Sequence, residues 1–127
     1  MKEATQKLLA KAARVLRFAE RLRTDDDGEF AVGRAYYAMF YTAEALLNER
    51  GHRFRKHGGV HGAFREHFVK TRLLDGKYHQ WLLEAFSQRI TGDYGLESDL
   101  TAEDAAVLIS QAREFLEAAT QFLKSKE

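Results

Sequence analysis

Seven side chains of a kind that holds anions crowd one short span: His52, Arg53, Arg55, Lys56, His57, His61 and Arg65. A phosphate beside a helix that begins near Val60 would meet backbone N–H groups, the positive end of the helix dipole and these donors together. Gly58 and Gly59 let the backbone come close to such a ligand. The alternative is a solvated charged loop. His57 and His61 stand four apart, a helix-face spacing that also suits zinc, but two imidazoles are not a metal site and no third ligand is placed beside them. No metal and no cofactor is expected. A second stretch, Arg89 Ile90 Thr91 Gly92 Asp93 Tyr94, is polar after a strongly apolar segment. Arg89 offers a fixed cation near a helix end. Asp93 either pairs with it or caps a turn, and Tyr94 either closes the core or faces the site. Arg34, one turn before Tyr37, adds a second positive charge or takes part in a surface salt bridge.

These residues need a frame, and residues 35–47 set it. Only Thr42 and Glu44 interrupt this apolar and aromatic run. It is too short to span a bilayer, and too rich in Ala and too poor in Val and Ile for a buried strand. A helix wetted on almost no face lies in the middle of a bundle. Its tyrosines need hydroxyl partners, so one rim of it should border a polar site.

A first helix over residues 3–23 repeats Leu8, Leu9, Ala12, Leu16, Ala19 and Leu22 at helical spacing. Asp25 to Gly28 form a turn in which Asp26 or Asp27 caps the central helix, Glu29 to Arg50, and Gly51 ends it. Val60, Phe64, Phe68 and Leu74 indicate a third helix with a loosened start. A fourth covers Lys77 to Ile90, with Tyr78, Trp81, Leu82, Ala85 and Phe86 inward, and residues 91–100 connect it to the last. That helix opens on Thr101 with Asp104 in a capping-box pattern and carries Leu108, Ala112, Phe115, Ala119, Phe122 and Leu123 as its stripe. The expectation is an all-α, antiparallel four- to five-helix up-and-down bundle, with residues 1–127 as one domain.

Composition narrows the function classes. The chain of 127 residues holds no Cys and no Pro, so disulfides and thiolate metal sites are excluded. With no leader or spanning segment evident, a cytoplasmic location and no membrane contact are expected. A net charge of +1 exerts no global pull on nucleic acid, so any such contact needs a local basic patch.

Gly33 Arg34 Ala35 Tyr36 Tyr37 Ala38 Met39 Phe40 resembles the Ser-Arg-Ala-Tyr-Tyr-Ala-Met-Phe signature of a small prokaryotic HEPN family. His57 Gly58 Gly59 Val60, with Phe68 Val69 Lys70 Thr71, is similar to its second block, and Arg89 to Gly95 is similar to its Arg-x-x-Ala-Asp-Tyr-Gly block. The blocks stand in order across most of residues 30–95. The resemblance implies a homodimer, and frequent pairing with a minimal nucleotidyltransferase encoded next door. It also implies a toxin of a toxin–antitoxin pair that cleaves RNA without metal, through an Arg-x4–6-His motif. Arg89 matches the Arg of that motif, but Asp93, Tyr94 and Gly95 follow it and no His stands at the required spacing. Arg55 with His61 and Arg72 with His79 also satisfy the spacing, and the first pair lies in the basic link. The catalytic candidates are therefore Arg89, Asp93, Tyr94, His57 and His61. Arg34, Tyr37, Arg53, Arg55 and Lys56 are the phosphate- or nucleotide-binding ones. The missing His leaves a second expectation: a non-catalytic nucleotide-binding or substrate-presenting subunit of the nucleotidyltransferase, with Tyr94 as a site for AMP transfer. A plain dimerisation module is the third.

Overall fold

The computed structural model describes residues 1–94 and 99–127, and of Tyr94 the backbone alone. Five α-helices account for most of the chain: α1 (Glu3–Thr24), α2 (Gly28–Glu49), α3 (His57–Phe64), α4 (Lys77–Tyr94) and α5 (Ala102–Ser125). No strand occurs among the described residues. Helix α2 packs against all four others, as its apolar run requires. Buried residues surround its axis, among them Val32, Ala35, Tyr36, Met39, Ala43 and Leu46, and its wet positions form one narrow line.

Local chemistry sets the turns. Asp26 takes a left-handed conformation (φ 61°) after α1, and Asp27 N–H donates back to the Leu22 carbonyl at 2.8 Å. Asp27 then caps α2 by accepting from Phe30 N–H at 3.2 Å. The result is a two-helix hairpin with almost no loop. At the far end of α2, Gly51 (φ 84°) forms a Schellman cap, in which His52 N–H reaches the Leu47 carbonyl at 2.9 Å. Thr101 and Asp104 exchange the two bonds of a capping box at the start of α5.

Successive long helices run antiparallel. Thr5 of α1 meets Asn48 and Glu49 of α2, and Tyr78 at the start of α4 stacks on Phe115 of α5 at 5.1 Å. Helices α2 and α5 run the same way, with Gly28 against Thr101 at one end and Arg50 over Phe122 at the other.

Two boundaries differ from the sequence reading. Helix α3 begins at His57 rather than near Val60, and Gly58, Gly59 and Gly62 all lie inside it. Its continuation, Arg65–Val69, winds as a π-helix and stops short of Leu74. Phe54 folds over Gly59 so closely that a side-chain carbon there would approach it to 3.2 Å, and this contact offsets the weak helix propensity of glycine. Helix α4 continues through Thr91, Gly92 and Asp93 to Tyr94 instead of ending at Ile90. Gly92 is buried against Leu100 and Glu29, so tertiary packing carries the helix through the polar stretch.

Candidate functional site

The site grows out of one buried hydroxyl. Tyr36 of α2 has no exposed surface, and a buried phenol needs hydrogen-bond partners. It finds two: Oη lies 2.7 Å from His57 Nδ1 and 2.9 Å from His61 Nε2. The two histidines stand one turn apart on α3, so both reach the same oxygen. A phenol in this place donates to one ring nitrogen and accepts from the other. Burial raises the Tyr36 pKa well above the ordinary phenol value, with Arg89 opposing, so the hydroxyl keeps its proton.

Phe40 and Phe86 complete the walls. The Phe40 ring sits 4.4 Å from that of His57, and Phe86 lies 5.1 Å from His61. In this surrounding the His61 pKa is pushed down to about 4, by burial first and then by the neighbouring His57 and His79. His57 is half-buried, and its pKa is lowered by burial and by the Arg89 guanidinium. Both imidazoles are therefore neutral at pH 7.

Arg89 enters from α4. Its guanidinium carbon stands 5.1 Å from the Tyr37 ring centre, 5.7 Å from Tyr36 and 5.9 Å from Phe86. Gly33 on α2 lies beside the Arg89 side chain, whose Cγ a Cβ at that position would meet in ordinary contact at 3.8 Å. Arg89 Nε is 3.0 Å from Asp93 Oδ2. The N–H does not point at that carboxylate, however, and Nε is a buried donor with no acceptor among the described residues. The pair thus attracts as charges without forming a directed hydrogen bond. Arg34 lies 5.8 Å from the outer face of the same Tyr37 ring, exposed to solvent.

His57, His61, Arg89, Asp93, Tyr37 and Arg34 therefore converge. Arg53, Arg55 and Lys56 do not join them: all three are exposed, and no hydrogen bond or ion pair among the described residues ties them to the cluster. Arg53 instead borders a separate hollow of 370 Å³ with Lys7, Glu44 and Phe54. His52 stacks on His67 at 4.2 Å. The side chain of Tyr94 lies outside the described residues, as does Gly95 of the third sequence block. Among the described residues no group of three acidic or imidazole side chains could hold a metal ion, and none of their helices is long and apolar enough to cross a membrane.

Tyr36 is the residue the sequence reading missed in favour of Tyr37. A signal was present: Tyr37 falls in line with Phe30, Arg34, Tyr41 and Glu44 at helical spacing, which marks the wet side and turns Tyr36 inward.

The pattern of a HEPN domain matches residues 5–123, nearly the whole chain. The protein belongs to the HEPN family. A Methanocaldococcus jannaschii protein named "Putative toxin" is 35% identical over 98% of this chain and 85% of its own length. A UPF0332 protein of Gloeobacter violaceus is 35% identical over 93% of this chain and 94% of its own. One from Thermotoga maritima is 38% identical over 74% and 71%. Within this HEPN fold the network draws on three helices, α2, α3 and α4.

Burial of neutral His61 carries a pH signature. The unfolded chain protonates this ring near 6.5, the folded protein only at about 4. Between those values the unfolded state binds more protons, so stability falls as pH falls through that window and is fully present above it. The expected loss is about 3 kcal/mol. Thermal melts of wild type and His61→Phe should diverge in slope between pH 6.5 and pH 4, with the variant flatter. Parallel curves would show that His61 is not buried as the neutral ring.

Proposed function

We propose that this HEPN protein is the toxin of a toxin–antitoxin pair and cleaves RNA without a metal ion. The observation that carries the reading is the pairing of a neutral, half-buried imidazole with a cation. His57 is hydrogen-bonded to a buried phenol, and beside it stands Arg89, with an unpaired buried donor. The name carried by the Methanocaldococcus relative supports it.

In such a reaction the 2′-oxygen attacks the adjacent phosphorus, a P–O bond to the 2′-oxygen forms and the P–O bond to the 5′-oxygen breaks. The products are a 2′,3′-cyclic phosphate and a free 5′-hydroxyl, and no water is consumed. His57 takes the 2′-hydroxyl proton. When His57 Nδ1–H donates to Tyr36 Oη and the phenol donates to His61 Nε2, His57 Nε2 holds a lone pair and serves as the base. The low pKa of His61 keeps the proton from passing inward. Arg89 meets the charge that grows on the phosphoryl oxygens. A proton from solvent, or from the same site of a second subunit, completes the leaving 5′-hydroxyl. The protein works as a homodimer, with a nucleotidyltransferase partner as its antitoxin.

The test is expression of the chain alone in a bacterial host, beside His57→Ala, while growth and tRNA integrity are followed. Arrest with cleaved RNA for wild type only is the expected result. Healthy growth with intact RNA in both cultures would overturn the ribonuclease reading.

One observation favours a second reading, a nucleotide-binding or substrate-presenting subunit. No histidine follows Arg89 at the family's spacing, and Asp93, one turn on, offsets part of the Arg89 charge. On that reading ATP binds in calorimetry with the partner present, and Tyr94 gains the mass of AMP. Neither heat nor mass change would discard it.

A further inference from the structure

The outer side of the α1–α2 hairpin is a charged and aromatic seam that the site described above does not use. Helix α1 carries six basic and two acidic residues, a net +4, in a chain whose net charge is +1. Most of this charge lies in a line. Lys11, Arg14, Phe18 and Arg21 follow one another at steps of three, four and three along α1, and all four are exposed. Among the described residues none of the three cations in this line has an acidic partner within ion-pair distance. Phe18 is 49% exposed, with the Arg21 guanidinium 5.7 Å from its ring centre. A shallow hollow of 140 Å³ opens between Phe18 and Arg14, Arg17 and Arg21.

The wet line of α2 alternates the same two helical steps. Phe30, Arg34, Tyr37 and Tyr41 step along it, with Phe30 55% exposed. The two lines meet where Lys11 Nζ sits 4.5 Å from the Tyr41 ring centre. From there the ring contacts are continuous: Tyr41 to Tyr37 at 5.8 Å, then Tyr37 to Arg89 at 5.1 Å. A row of cations interleaved with aromatic faces thus leads from the middle of α1 to the arginine of the site.

We propose that this seam is the docking track for single-stranded RNA, which it delivers to Arg89 and His57. The inference rests on the ribonuclease reading for what happens at the end of the track, not for binding to it. Single strands are held by cations along the phosphates and by bases stacked on aromatic rings, without sequence readout, and the seam supplies both. Lys11 to Arg21 spans about 15 Å of helix, long enough for several phosphates of an extended strand. The same charge argues against a second copy of the chain as occupant. A two-fold contact would place this patch against itself, cation facing cation.

The experiment is fluorescence anisotropy with the full-length protein and a labelled, unstructured 2′-O-methyl oligouridine of about 12 nucleotides. That probe lacks the attacking hydroxyl, so binding is read without cleavage. Wild type is expected to bind with a steep salt dependence. Arg14→Gln combined with Arg21→Gln should weaken binding roughly tenfold and flatten the slope of log K against log salt by about 1.4, the share of two phosphate contacts. Cleavage of a dinucleotide, too short to use the track, should stay at the wild-type rate in that variant. Phe18→Ala should weaken binding without changing the salt slope, as a stacking contact does.

Unchanged affinity and slope in the double variant would overturn the proposal, as would absence of binding by wild type. So would a change of sedimenting mass in the double variant, because the face would then join subunits. Salt-dependent binding that tracks Arg14 and Arg21, in a protein that cleaves no RNA, would keep the track and discard the ribonuclease.

Discussion

Arg89→Ala is expected to abolish growth arrest and to lower RNA cleavage by about 10²–10³, the cost of removing one preorganised charge from a developing oxyanion. The fold should survive. Only 17% of the side chain is exposed, but its contacts are ring faces and Asp93, and no hydrogen bond of the helices depends on it. Arg89→Lys is the informative companion. It keeps the charge and loses the planar fork, so partial activity would mean that charge dominates, and a loss as large as that of alanine that two-point geometry does. Asp93→Asn should act in the opposite direction on binding. It removes the carboxylate 3.0 Å from Arg89 Nε, so the affinity of the site for inorganic phosphate should rise. Cleavage by Arg89→Ala at the wild-type rate would remove Arg89 from the site altogether.

Gly28→Ala is expected to be the most damaging small substitution in the frame. A Cβ at Gly28 would lie 2.3 Å from the Thr101 carbonyl carbon and 2.4 Å from its oxygen. These are backbone atoms, so no rotamer change relieves the clash and the start of α5 must move away. Overpacking of this kind costs about 2–3 kcal/mol, with a fall in Tm of roughly 10 °C for a chain of this size. The displacement also reaches the site, because Leu100 bears on Gly92 and hence on the last turns of α4. A calorimetric melt checks it: a Tm within about two degrees of wild type would mean that the α2–α5 contact yields far more easily than its geometry implies.

Much of this was legible in the residues. The run from Ala35 to Leu47 announces a helix enclosed on nearly all sides, and Asp27, Gly51 and the Thr101–Asp104 pair mark their boundaries through chemistry that acts within a few residues. The convergence of His57, His61 and Arg89 was also within reach, because the basic link and the 89–94 stretch each stood out against apolar surroundings. What escaped was decided over longer range. Three glycines argue against a helix at His57 to Phe64, and tertiary contacts reverse that: Val60, His61 and Phe64 are buried, Tyr36 holds both histidines, and Phe54 packs over Gly59. Gly92 reads as a break until it is seen buried beneath Leu100. The π-helical turn at Arg65–Val69 inserts extra residues into a helix whose sequence gives no sign of it. The choice between Tyr36 and Tyr37 is a rotation of about 100° about the α2 axis. A run apolar on every side leaves that rotation weakly marked, and Arg89, far along the chain, completes the surroundings of both rings.

The near-absence of a loop between α1 and α2 also has a bearing on how the protein is born. Two antiparallel helices joined through Asp25–Asp27 close at short sequence separation, so they form quickly and early. In chain order the hairpin precedes α4, and Tyr36 is made before either of its imidazoles. Arg89 and Asp93 arrive last among the residues of the cluster. A nascent chain therefore presents the residues of its basic seam first, and the imidazole–arginine cluster closes only when α4 docks.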